Sequence, residues 1–122
     1  MNGNYLLDTN AIINALNQGL KLPANSYSIS IVSEMELFSF PRLTQNEKKE
    51  IEKLLEYFKI YNISKEIKEK TIEIRQKYNI KLPDSIICTT ALINNLILVS
   101  NDKQLSKIEK LKIATLDELM QN

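Results

Sequence analysis

Hydrophobic and polar positions along this chain switch repeatedly between two periods, one of a strand and one of a helix. Tyr5, Leu6 and Leu7 form a brief apolar run that stops at Asp8, as a short buried strand would. Behind it, Ile12, Ile13 and Leu16 share one helical face, and Gly19 stands where a helix could stop in a left-handed turn. "YSISIV" alternates aromatic or β-branched residues with serine, which predicts a strand, and "SEMELFSF" then runs helically to Pro41. Thr44 and Glu47 have capping-box spacing, and Ile51, Leu54, Leu55 and Phe58 mark one face of the helix they open. "KIYNI" predicts a short strand, and Ser64 to Tyr78 a helix with Ile67, Thr71, Ile74 and Tyr78 in register. Pro83 suits a helix start, where its missing N–H costs nothing, so "PDSIICTTALINN" reads as the next helix. "LILVS" is the most hydrophobic strand candidate, "DKQLSKIEK" a short helix, "LKIAT" a last strand, and "LDELMQN" a closing helical turn or two.

Short strands interleaved with helices of about 10 to 15 residues predict a parallel sheet with helices on both faces, an α/β three-layer α/β/α sandwich. No repeat, low-complexity segment or boundary breaks the pattern, so residues 1–122 read as one domain of ordinary size. Two glycines and three prolines argue against a linker-rich chain. The single cysteine cannot form an internal disulfide or, alone, a zinc site, which fits a reducing cytoplasm. No apolar stretch approaches the roughly 18 to 20 residues of a membrane-spanning helix, and no signal-peptide pattern is present, so the expected location is cytoplasmic with no membrane partner. The net charge of +1 provides no general attraction to polyanions, so any basic patch is offset by acids elsewhere. There is no histidine, which removes Ser-His-Asp hydrolysis, Cys-His proteolysis, zinc–histidine sites and histidine general-base chemistry together.

In an open parallel sheet the carboxyl ends of the strands and the amino ends of the helices share one edge, and ligands bind there. Four acids fall at such junctions: Asp8 ends the first strand, Glu36 lies near the start of the second helix, Asp84 is in the first turn behind Pro83, and Asp102 follows "LILVSN". Each alone has a structural reading. Asp8 can cap a helix, Glu36 can close a capping box with Ser33, Asp84 can favour the helix dipole, and Asp102 can cap or form an Asx turn. Four on one rim repel one another unless a cation neutralises them, and an oxygen-only donor set selects hard ions such as Mg²⁺ or Mn²⁺. Four negative charges match two divalent cations, the arrangement used for in-line displacement at phosphorus.

"LLDTNAII", "SISIVSEMEL", "LPDSIICTTAL" and "LILVSNDKQL" together resemble, in order, the four acidic motifs of PIN-domain nucleases, and among these the small VapC-type toxins of bacterial toxin–antitoxin pairs. The resemblance spans nearly the whole chain and implies a PIN-like fold. It implies that Asp8, Glu36, Asp84 and Asp102 are catalytic and bind Mg²⁺ or Mn²⁺, and that an RNA phosphodiester is hydrolysed by a metal-activated water. Asn10 and Ser100 would help order the site, Ser100 standing where threonine is usual. The implied partners are an RNA substrate, a second copy of the chain and a cognate antitoxin whose segment covers the acidic groove. Leu105 departs from a common phenylalanine. Glu34 competes with Glu36 as the second acid, but on a helix the two point about 200° apart, and Glu36 followed by Leu37 matches the motif better.

Cys88 reads as a small buried hydrophobe, and Thr89 and Thr90 as packing residues or supports for the acids. Tyr57, Tyr61 and Tyr78 suit core positions or base stacking. Arg75, Lys77 and Lys81, close to Asp84 in sequence, are candidates for phosphate contacts, while Glu66 and Lys70 suit a solvated helix face. Three alternatives stand beside the nuclease. A non-catalytic PIN-like module binding RNA or protein would not require all four acids. A phospho-acceptor receiver domain needs an aspartate ending the third strand, which "KIYNIS" lacks; "DTN" likewise lacks the second acid of a haloacid-dehalogenase-like phosphatase.

Overall fold

Strand and helix alternate along almost the whole length of the computed structural model, which describes residues 4–121. In order come β1 (Asn4–Leu7), α1 (Thr9–Asn17), β2 (Ser26–Ser30), α2 (Ile31–Phe38), α3 (Gln45–Leu55), β3 (Phe58–Tyr61), α4 (Lys65–Lys77), α5 (Leu82–Ile93), β4 (Ile97–Val99), a 3₁₀ turn (Lys103–Lys107), β5 (Ile113–Ala114) and α6 (Leu116–Met120). The five strands pair in parallel in the order β3-β2-β1-β4-β5. The chain first winds outward from β1 through β2 to β3, then returns to place β4 on the other side of β1. The direction of winding therefore reverses between β1 and β4, and crevices at such a reversal are where open α/β sheets bind ligands.

Period-two alternation divides the core. In β1, Leu6 points to one face and packs with Ile74, Ile87, Cys88 and Leu98, beneath α4 and α5. Tyr5 and Leu7 point to the other, with Ala11, Ile12, Ile29, Ile51, Val99 and Leu119, from α1, α3 and α6. Leu6 and Leu7 are both fully buried, so β1 is covered on both sides. The same register stacks Tyr5, Tyr27 and Phe58 across three strands, with ring centroids 6.0 and 5.6 Å apart. This is the expected α/β/α sandwich, and no described helix is long and apolar enough to cross a membrane.

Several boundaries differ from the sequence reading. Ile31 and Val32 belong to α2 rather than to the strand, because Ser30 accepts a bond from Val32 N at 3.1 Å and starts the helix there. Ser30, not Ser33, is the cap, so the expected Ser33–Glu36 capping box does not form. Phe58 begins β3 instead of closing the face of α3. Asn62 and Ile63 lie outside that strand, "DKQLSKIEK" makes only a single 3₁₀ turn, and the last strand shrinks to Ile113–Ala114. The expected closing helix reached Asn122, which lies outside the described residues, as do residues 1–3. Thr44 and Glu47 do form their capping box. Gly19, at a φ of +61°, closes α1: its N–H donates to Leu16 O and that of Leu20 to Ala15 O, the two bonds of a Schellman motif.

Candidate active site at the carboxyl edge of the sheet

β1 runs one residue past its last paired position, as Asp8 N donates to Val99 O at 3.1 Å. This fixes the Asp8 backbone at the β1–β4 reversal. Its carboxylate accepts from Ala11 N at 2.8 Å, so Asp8 is the N-cap of α1 as well as a rim carboxylate. Thr9 follows, and its hydroxyl donates to Glu36 Oε1 at 2.6 Å with Ser33 Oγ 3.0 Å away. Glu36 sits in the second turn of α2, while the first-turn acid is Glu34, which does not line the recess that Glu36 shares with Asp8. Thr9 was not singled out in the sequence. Its only signal was a hydroxyl between Asp8 and Asn10, and its partner is 27 residues away.

Asp84 arrives from the first turn of α5, whose N-cap residue Lys81 makes no side-chain cap bond. Asp102 caps the 3₁₀ turn by accepting from Gln104 N at 3.0 Å, and its own N–H donates to Ser100 Oγ at 3.1 Å. Ser100, almost fully buried at the end of β4, is also hydrogen-bonded to the Asp8 carboxylate. A hydroxyl both donates and accepts, so this one side chain bridges two of the acids. Asn10 is exposed and lines the recess of Asp8, Glu36 and Asp84.

Electrostatics tie the group together. Burial pushes the Asp8 carboxyl above its ordinary value, and the charges of Asp84 and Asp102 add to this, against the bonds from Ser100 and Ala11. Burial likewise raises Asp84, with further contributions from Asp102 and Glu36 and an opposing one from Lys81. Beneath them the Cys88 thiol is pushed up to about 12, first by burial and then by Asp84, Asp8 and Asp102. It is therefore a protonated floor to the site and no nucleophile. Thr90 bonds back to Ile86 O at 2.7 Å, and Thr89 Oγ1 is buried with no hydrogen-bond partner among the described residues.

All four sequence-derived acids thus lie on one rim, contributed by four separate segments. Among the described residues no three acidic side chains close on a single point that would hold an ion as they stand, and Glu36 is turned toward Thr9. The donor chemistry nevertheless fits a hard divalent cation: all four groups are carboxylates, and burial and neighbouring acids raise Asp8 and Asp84.

Of the three candidate phosphate contacts, Arg75 and Lys81 line a recess with Asp84 and Asp102. Lys77 lines a different one and pairs with Glu109 at 3.7 Å. Tyr57 precedes β3 and so lies toward the opposite edge, and Tyr78 OH accepts from Glu109 N at 3.2 Å.

Known proteins share this fold. The fold is similar to that in VapBC2 from Rickettsia felis bound to a DNA fragment from its promoter, with a TM-score of 0.80, 22% identity, and 92% of this chain and 98% of that chain covered. It is also similar to a toxin–antitoxin complex from Klebsiella pneumoniae, with a TM-score of 0.74, 28% identity, and 92% and 97% covered. DNA-bound VapBC from Salmonella typhimurium gives a TM-score of 0.81 at 18% identity over 95% and 99%. No curated protein matches the sequence. The PIN-domain family model matches residues 5–111, most of the chain, and the chain therefore belongs to the PIN-domain family.

Proposed function

We propose that this PIN domain is a Mg²⁺- or Mn²⁺-dependent endoribonuclease that hydrolyses RNA phosphodiester bonds, and that it is the toxin of a toxin–antitoxin pair. The observation that carries the reading is the convergence of Asp8, Glu36, Asp84 and Asp102 on one rim, where burial and mutual repulsion raise Asp8 and Asp84. Such a set gains stability by holding cations. These four residues would hold the metal, which when bound supplies an activated water and charge neutralisation at the phosphoryl oxygens.

The protein's own groups prepare that chemistry. Ala11 N and Ser100 orient Asp8, while Gln104 N and Ser100 orient Asp102, so these two carboxylates are fixed before substrate arrives. Thr9 restrains Glu36, and Asn10 offers an amide to the same recess. Kinship with structures described as VapBC and toxin–antitoxin complexes supports a cognate antitoxin; a homodimer acting in the cytoplasm is part of the same proposal.

The test is incubation of the protein with total cellular RNA and Mn²⁺ or Mg²⁺, beside Asp8→Asn and a chelator control, with the new RNA ends mapped. Discrete cuts that vanish in both controls are expected. Cuts surviving Asp8→Asn would sink the metal assignment, and inertness with both ions would favour a binding module. Co-purification with the product of a small reading frame beside the gene tests the toxin assignment separately.

A further inference from the structure

Asp84 stands between two recesses of opposite character. The recess of about 370 Å³ that it shares with Asp8 and Glu36 is walled by Ile13 and by Phe40, a side chain left 46% exposed. The recess of about 490 Å³ that it shares with Asp102 carries Arg75, Lys81, Asn79 and Gln104. Arg75 comes from the last turn of α4 and Lys81 from the residue before α5, so two elements deliver two cations to one place. Arg75 Nε donates to Ile80 O at 3.3 Å, which anchors the guanidinium. Among the described residues neither Arg75 nor Lys81 forms a salt bridge, although Asp84 and Asp102 line the same recess. Lys81 acts on Asp84 at longer range, but neither cation is held in a close ion pair, so both can meet an added anion. The exposed aromatic ring on the other side offers a flat apolar face to a base.

Resting on the ribonuclease reading above, we infer that a single RNA strand crosses Asp84 in one direction. A backbone phosphate next to the scissile bond sits on Arg75 and Lys81, and the base on the opposite side lies against Phe40. Phosphate contacts carry no sequence information, whereas a base laid on Phe40 does so modestly, through stacking strength. Arg75 and Lys81 are thus positioning residues for the strand, and Phe40 a specificity-determining one.

The test uses fluorescence anisotropy with a short labelled single-stranded RNA of mixed sequence, in Mg²⁺, on the Asp8→Asn protein so that nothing is cut. Adding Arg75→Ala and Lys81→Ala together should flatten the slope of log affinity against log salt by about 0.7, since the two cations share one phosphate and each phosphate of a single strand left without its cations takes away about 0.7. Lys77→Ala, in the other recess, should leave the slope unchanged. Phe40→Ala should weaken binding about fivefold or more without altering the slope, and Phe40→Tyr should restore it. Equal slopes for the Arg75/Lys81 and Lys77 variants would overturn the phosphate assignment, and unchanged affinity in Phe40→Ala would overturn the base assignment. Cleavage by the wild type is measured alongside. Cutting without these binding effects sinks the strand path alone, while absence of both cutting and RNA binding sinks it together with the ribonuclease reading.

Discussion

Asp8 serves two demands that conflict. As a cap it needs only an oxygen facing Ala11 N, but as a rim carboxylate it must be charged among other charges. Asn caps a helix as well as Asp. Asp8→Asn should therefore abolish cleavage and yet raise the melting temperature of the metal-free protein by a few degrees at neutral pH, whereas Asp8→Ala loses the cap at a cost of about 1 kcal/mol. The pH dependence has a definite sign. Asp8 and Asp84 have ordinary values of 3.8 that are raised in the folded protein, so above 3.8 the folded state binds more protons than the unfolded chain. Their contribution to stability is complete below 3.8 and is lost as the pH climbs through the raised values. In chelator, the gap in melting temperature between Asp8→Asn and wild type should widen over that window; a constant gap would contradict the shift. Thr9→Val should cost about 1 kcal/mol and slow cleavage at saturating metal, with Thr9→Ser recovering both, as denaturant curves and rate measurements would show. The four acids were legible because Asp8 and Asp102 follow strands that the hydrophobic pattern marks, Pro83 marks the helix start at Asp84, and Glu36 lies in the helix directly after β2. Thr9 was not, since its role depends on a partner in another helix.

Elements were readable where local chemistry is self-contained. Thr44 and Glu47 declare the start of α3 within four residues, and Gly19 the end of α1. They were misread where an apolar run serves either period. "SISIV" fits a strand throughout, yet Ser30 turns its hydroxyl to Val32 N and makes Ile31 helical. Phe58 has helical spacing from Leu54 and Leu55, but stacking on Tyr27 draws it into the sheet. These shifts moved Glu36 from the first turn of its helix to the second without removing it from the rim. Ser30→Ala should destabilise the fold by about 1 kcal/mol in chemical denaturation. It should also reduce cleavage, because α2 carries Glu36.

Across the whole molecule, the sheet order sets where the site lies. The reversal between β1 and β4 brings Asp8 beside Ser100, and the parallel strands bring α2 and α5 to the same edge. This order cannot be read from one sequence, because pairing between strands far apart in the chain leaves no local mark. Metal should couple to stability at this scale. Mn²⁺ at a hundredfold excess over its dissociation constant should add about 2.7 kcal/mol, seen as a rise in melting temperature that Asp84→Asn lacks.

Because β1 takes β4 as a neighbour, the middle of the sheet is closed by residues translated late. An emerging chain can pair β1 with β2 and β2 with β3, but one side of β1 stays open until Ile97–Val99 arrive, and Asp102 leaves the ribosome after them. A chain cut after residue 94 should accordingly show no cooperative melting and no response to Mn²⁺. On the ribonuclease proposal this timing matters, since the ribosome is itself RNA. A copy still being made lacks the closed rim until β4 and Asp102 have both emerged.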